Sequence, residues 1–100
     1  MFVLARDALS FVRVGESNGG KFPDEVPCSD ALVEYMVLRR GRPFVLETVE
    51  NDRDSFHSVQ PKRFCQACLD SLRRMGSDFV IPYWQNSRVV GFSLLATGDR

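Results

Sequence analysis

The sequence predicts an α+β domain, a central and mostly antiparallel β-sheet with helices on one face. Three observations lead there. Runs rich in branched and aromatic residues occur in pairs at both ends of the chain, each pair joined by a short polar stretch that suits a hairpin. Between them lie two stretches in which apolar residues recur at a helical period. Strands that meet mainly through hairpins build an antiparallel sheet rather than a doubly wound one.

Phe2 to Leu4 and Ala8 to Val14 form the first pair, with Arg6 and Asp7 as the turn. Gly15 to Pro27 holds three Gly and two Pro, a composition that leaves little regular structure and reads as a long loop. Ser29 then stands as a cap, with Asp30 in the first turn, ahead of a helix to about Arg40. Leu32, Tyr35, Met36 and Arg39 share one face of it, Val33 and Val37 widen that face, and Gly41 stops it. Pro43 opens a short strand from Phe44 to Glu47, and the polar stretch Thr48 to Ser58 reads as a loop. Ser58 or Gln60 caps the second helix and Pro61 fits its first turn. Phe64, Cys65, Cys68, Leu69, Leu72 and Met75 then follow its period, and Gly76 ends it. Asp78 to Trp84 and Arg88 to Ala96 are the last two strands, joined across Gln85-Asn86-Ser87.

At 100 residues the chain makes one domain, spanning 1–100, and no second core fits. Size scaling predicts about 5,800 Å² of folded surface against about 16,500 Å² unfolded, enough burial to stand without a metal or disulfide staple. Thirteen basic and thirteen acidic residues cancel, so no global field favours nucleic acid or anionic membranes. No apolar run is long enough to span a bilayer and no signal pattern opens the chain, which predicts a cytoplasmic protein. Three cysteines, an odd number without a secretory signal, argue against a disulfide framework.

Cys65 and Cys68 are the most conspicuous chemical pair. Thiols three apart on a helix share roughly one face, which permits redox exchange or metal binding. An activated thiol prefers a helix N-terminus, however, and Cys65 sits about a turn inside, so core packing is the leading reading of the pair. Zinc would need further ligands, and only Cys28 and His57 are of the right type, so no metal site is expected. His57 is the lone histidine, near Asp54 and Ser58, without a nucleophile-elbow motif, and reads as a loop residue rather than a catalytic one. Arg39, Arg40 and Arg42 could hold a phosphate, although placement at a helix C-terminus accounts for two of them. Gly19-Gly20 lacks the ending of a phosphate-binding loop.

The tail from Gly76 to Leu95, Gly-Ser-Asp-Phe-Val-Ile-Pro-Tyr-Trp-Gln-Asn-Ser-Arg-Val-Val-Gly-Phe-Ser-Leu-Leu, resembles the final hairpin of GAF domains. Ser29-Asp-Ala-Leu-Val-Glu-Tyr-Met followed by Arg42-Pro-Phe-Val-Leu-Glu is similar to the segment of bacterial sensor-kinase GAF domains in which a short helix delivers a strand. The resemblance covers nearly the whole chain in element order, without the long first and last helices typical of the family. It implies a GAF-like, PAS-like sensor fold and a non-catalytic module that senses a small molecule or regulates dimerisation in bacterial signal transduction, coupled to a kinase or cyclase output domain. It also places a ligand between the sheet and the elements over it, at Phe44, Phe56, His57, Phe64, Cys68, Phe79, Ile81 and Tyr83. One enzymatic branch of the family reduces free methionine sulfoxide with cysteines, which makes a small redox enzyme using Cys65 and Cys68 the alternative.

A homodimer is the remaining expectation. In the last strand Val90, Phe92 and Leu94 alternate onto one face, while Val89, Gly91, Ser93 and Leu95 form the other. Both helices are used on the first face, so the second face is expected to be covered by a partner subunit, through paired faces or exchanged helices, with terminal helices of a longer protein as the alternative cover. Nucleic-acid partners and membrane insertion are not expected.

Overall fold

The computed structural model describes residues 1–14 and 22–96. Gly15 to Lys21, and with them the first half of the expected long loop and its Gly19-Gly20 pair, lie outside the described residues. Strands β1 (Phe2–Leu4), β2 (Ser10–Arg13) and β3 (Glu25–Pro27) are followed by α1 (Ala31–Leu38), β4 (Phe44–Val45), α2 (Leu46–Ser55), α3 (Val59–Met75), β5 (Phe79–Gln85) and β6 (Arg88–Leu95). The strands form one six-stranded sheet in the order β3-β2-β1-β6-β5-β4, and every neighbouring pair is antiparallel. The expected α+β class with an antiparallel sheet is therefore present.

Two elements were not expected. Glu25 to Pro27 forms β3 because Val26 pairs with Phe11 and is fully buried beside it. Pro27 is tolerated because β3 is an edge strand, where a missing N–H costs no ladder bond. The second is α2, which replaces both the end of the expected strand and most of the expected loop. Its sequence is too polar to show a period, and Val49 is its one buried residue. Tertiary contacts hold it instead: Leu46 N–H donates to Asp78 O at 2.9 Å, Arg53 Nη1 donates to Gln66 Oε1 of α3 at 2.9 Å, and Tyr35 of α1 donates to Asp52.

The other helices carry their own local reasons. Asp30, rather than Ser29, caps α1, its Oδ1 accepting from Leu32 N at 2.9 Å and from Ser71 Oγ of α3 at 2.8 Å. One carboxylate thus ends one helix and ties it to another. Pro61 occupies the third position of α3, where a backbone N–H has no helical acceptor in any case. Gly76, at φ 73°, closes α3 in the left-handed conformation, with Ser77 N–H returning to Leu72 O at 3.0 Å.

Cross-strand partners share a face of the sheet. Phe2, Phe11, Val26, Phe44, Val80, Phe92 and Leu94 fall on one face, and all are buried with Leu32, Met36, Cys65, Cys68, Leu69 and Leu72 of the helices. Phe92 is central, stacked on Phe2 at 4.9 Å and edge-on to Phe11 at 5.1 Å. Asn86 and Ser87, both at positive φ, make the tight β5–β6 turn that strand twist favours. A register shift follows between Tyr83 and Trp84.

That shift corrects one residue of the expected dimer face. Tyr83 pairs with Gly91 but Trp84 pairs with Val89, so the extra residue in β6 turns Val89 to the helix side, where it is 6 % exposed within the core. Gly91, Ser93 and Leu95 remain on the opposite face with Val3, Phe79, Ile81 and Tyr83.

Leu72 has no exposed surface and sits in the middle of the buried stripe of α3. Leu72→Ala is expected to cost about 2–5 kcal/mol through lost burial and the cavity left behind. Urea denaturation checks this, and a change below about 0.5 kcal/mol would mean that the stripe does not carry the core.

Candidate functional site

The site begins where α1 stops. Arg39 and Arg40 leave the helix, Arg40 at φ 53° and Gly41 at φ 77° turn the chain back, and Gly41 N–H donates to Met36 O at 3.0 Å. Glycine is demanded at 41 twice over, because a Cβ there would also lie 2.5 Å from the Trp84 Cβ. The reversal lays Arg42 back on the helix end, with its Nε donating to Arg39 O at 3.2 Å. Arg39 reaches over Phe44, its guanidinium carbon 5.8 Å from the ring centroid.

Opposite this helix end stand α2 and the first turns of α3. Between them lies a cleft of about 600 Å³, lined by Tyr35, Leu38, Arg39, Arg42, Asp52, Phe56, Gln60, Pro61, Phe64 and Cys65. Tyr35 Oη donates to Asp52 Oδ2 at its base, joining α1 to α2. Phe44 lies beneath, edge-on to Tyr35 at 4.8 Å. A shallower groove of about 390 Å³ along the outside of α1 shares Leu38 and Phe64 with the cleft and adds Cys28, Val33 and Val37. Leu38, Val37 and Phe56 are all exposed there, so apolar surface continues from one depression into the other.

One polar atom in this region is unsatisfied. Arg39 Nε is buried and has no hydrogen-bond partner among the described residues. Leaving such a donor unpaired costs about 1–3 kcal/mol.

Burial governs the titratable groups nearby. It raises the Tyr35 phenol, and the hydrogen bond to Asp52 raises it further, so Tyr35 stays protonated and Asp52 accepts from it. Burial likewise raises the Cys65 thiol, with the Asp52 charge adding to the effect and Arg53 opposing it. Cys68 is pushed up to about 12, first by burial and then by the neighbouring Cys65 and Asp30. Cys28 is raised by burial and by Asp7. The three thiols are free, and each holds its proton at neutral pH.

Of the residues expected around a ligand, the structure brings Phe56 and Phe64 into the cleft and sets Phe44 under it. Cys65, expected as a redox residue, also lines it. His57 is exposed on the α2–α3 connection and is not part of the lining. Cys68 is fully buried in the core, because the α3 period turns it inward between Cys65 and Leu69. Phe79, Ile81 and Tyr83 lie on the far face of the sheet, since they alternate with Val80 and Pro82, which are buried on the helix side. Asp52 could not be found from sequence, because α2 has no period to relate it to Tyr35. Arg39 and Arg42 carried a signal, a basic cluster beside a helix end, which fits an anion as well as a helix terminus.

Among the described residues no group of three or more His, Cys, Asp or Glu side chains could hold a metal ion. No described helix is long and apolar enough to cross a membrane. Compared with protein-family models, curated proteins and solved structures, the chain matches none of them.

The raised thiols predict a loss of stability at alkaline pH. A group whose native pKa lies above its unfolded value contributes fully below the unfolded value, and the contribution is lost as pH rises towards the native one. For Cys68 the window runs from 9.0 to about 12. Stability should fall there by roughly 1.4 kcal/mol per pH unit for each such group. Urea midpoints measured from pH 8 to 11 check this, and Cys68→Ala should flatten the slope by about one group's share. A slope unchanged in the variant would show that Cys68 titrates in the native protein as it does in the unfolded chain.

Proposed function

We propose that this chain is a non-catalytic, small-molecule-sensing regulatory module. The observation that carries the reading is the cleft between α1, α2 and α3. A concave space with apolar walls and a few convergent polar groups is the usual composition of a ligand site, and this one has the volume for a ligand of metabolite size. The elements around it have unequal anchorage. α3 buries six residues, whereas α2 buries only Val49 and otherwise depends on polar contacts. A ligand that binds more tightly when α2 sits closed on α1 would shift the population towards that arrangement, which is the elementary act of a sensor. The antiparallel sheet is compatible with the GAF resemblance, and in that setting the shift would be passed to a kinase or cyclase output domain in a bacterial cytoplasm.

The thiol-dependent alternative has less support. A redox cysteine works as an accessible thiolate, and Cys65 and Cys68 are 1 % and 0 % exposed with their protons held.

Ligand binding in the cleft is tested by thermal-shift screening of a panel of small organic molecules. Hits should raise the melting temperature of the natural chain and lose that effect in Gln60→Trp, which obstructs the cleft from an exposed position of α3. Hits that persist unchanged in the variant would place binding elsewhere.

A second role, self-association, is favoured by the far face of the sheet. Leu95, Tyr83 and Val12 are 44 %, 39 % and 37 % exposed there, beside Phe79, Ile81 and Val3. Two copies pairing these faces would cover them. Sedimentation equilibrium at micromolar concentration should report a dimer that Leu95→Glu converts to monomer. An 11.4 kDa monomer for the natural chain would overturn this role.

A further inference from the structure

We infer that the ligand of the α1–α2–α3 cleft is an organic monoanion with an apolar body, its charged group held by Arg39 and Arg42. The inference rests on the binding reading above and specifies its chemistry. The charge of the lining is the first reason. Arg39 and Arg42 face one carboxylate, Asp52, which already accepts from Tyr35, and neither arginine forms an ion pair among the described residues. The cleft is left one positive charge in excess, which a single negative charge on a ligand balances.

The second reason is the unsatisfied Arg39 Nε, buried in a side chain that lines the cleft. A guanidinium offers five donors in a planar fork, and carboxylate, sulfonate or phosphate-ester oxygens match that fork. An anion seated against the Arg39 fork is held by its terminal nitrogens and places negative charge beside this uncompensated donor. Arg42 is exposed, with its Nε engaged by Arg39 O, so its terminal nitrogens remain for the same anion. The third reason is the rest of the wall. Leu38, Phe56, Pro61 and Phe64 offer no polar side-chain atom, and Phe56 and Leu38 are 40 % and 69 % exposed, so the ligand's uncharged part meets hydrocarbon and aromatic surface. Inorganic phosphate alone would leave that surface wet.

Two fluorescent probes that share one ring system separate the charge from the apolar body. 1-Anilinonaphthalene-8-sulfonate is a monoanion at neutral pH, and N-phenyl-1-naphthylamine is its counterpart without the sulfonate. The natural chain is expected to bind the anionic probe at one saturable site. Its amide shift changes should centre on residues 38–42 and 56–65. Arg42→Met, a change at an exposed position, and Arg39→Met should each weaken the anionic probe about tenfold or more while changing the neutral probe less than about twofold. If both probes bind in the cleft with equal affinity and Arg42→Met affects neither, the anion inference is overturned and the binding reading stands. Equal loss of both probes in Arg42→Met also overturns the inference, since the arginine would then shape the cleft rather than hold a charge. If neither probe saturates, or if the shift changes fall on β5 and β6, the cleft reading and the inference fail together.

Discussion

β6 pairs with β1 on one side and β5 on the other, and this double pairing decides which residues of every strand meet the helices. Because the side-chain period of a strand is two, a slip of one residue would exchange the buried and open faces. Phe92 makes such a slip costly, for it sits between Phe2 and Phe11 and its burial depends on both registers being right. The extra residue near the β5–β6 turn then reverses the alternation locally, so that Trp84 and Val89 at the end of the hairpin still face inward. The result is a sheet with one dry face and one face that stays partly open.

The cleft is a consequence of what is laid on the dry face. α1 and α3 bury broad apolar stripes and are joined by Asp30, which caps the first and accepts from Ser71 of the second. α2 has too little apolar surface to pack in the same way. It is held off by polar contacts at Tyr35, Arg53 and Glu50, and the space beneath its C-terminal end is not filled. A helix held by hydrogen bonds rather than by burial opens at lower free energy than the core around it. That difference makes α2 the least firmly anchored wall of the cleft.

Chemistry in the cleft follows from the same burial. Burial raises the Tyr35 phenol and the Cys65 thiol, so both stay neutral, while the guanidiniums of Arg39 and Arg42 keep their charge. Neutral thiols are poor nucleophiles, and the buried Arg39 Nε is a donor left without an acceptor among the described residues.

Much of the fold was legible in the sequence because it depends on contiguous residues. The β5–β6 hairpin follows from two apolar runs around Asn86-Ser87, α3 from its unbroken stripe and Gly76, and α1 from Leu32, Tyr35 and Met36 before Gly41. The antiparallel class follows from the hairpins. β3 and α2 were hidden, since Val26 becomes a strand residue only by pairing with Phe11, and α2 becomes a helix only when α1 and α3 receive its polar side chains. Of the residues that the resemblance placed around a ligand, Phe56 and Phe64 line the cleft, while Phe79, Ile81 and Tyr83 fall on the opposite face of the sheet. By itself the sequence determined the class, the turns and the two apolar helices, all set by periodicity and backbone preference over short windows. Only the tertiary structure decided that Arg39, Asp52 and Phe64 line one cavity and that Val89 faces inward, because cavities and faces are made by packing between segments distant in the chain.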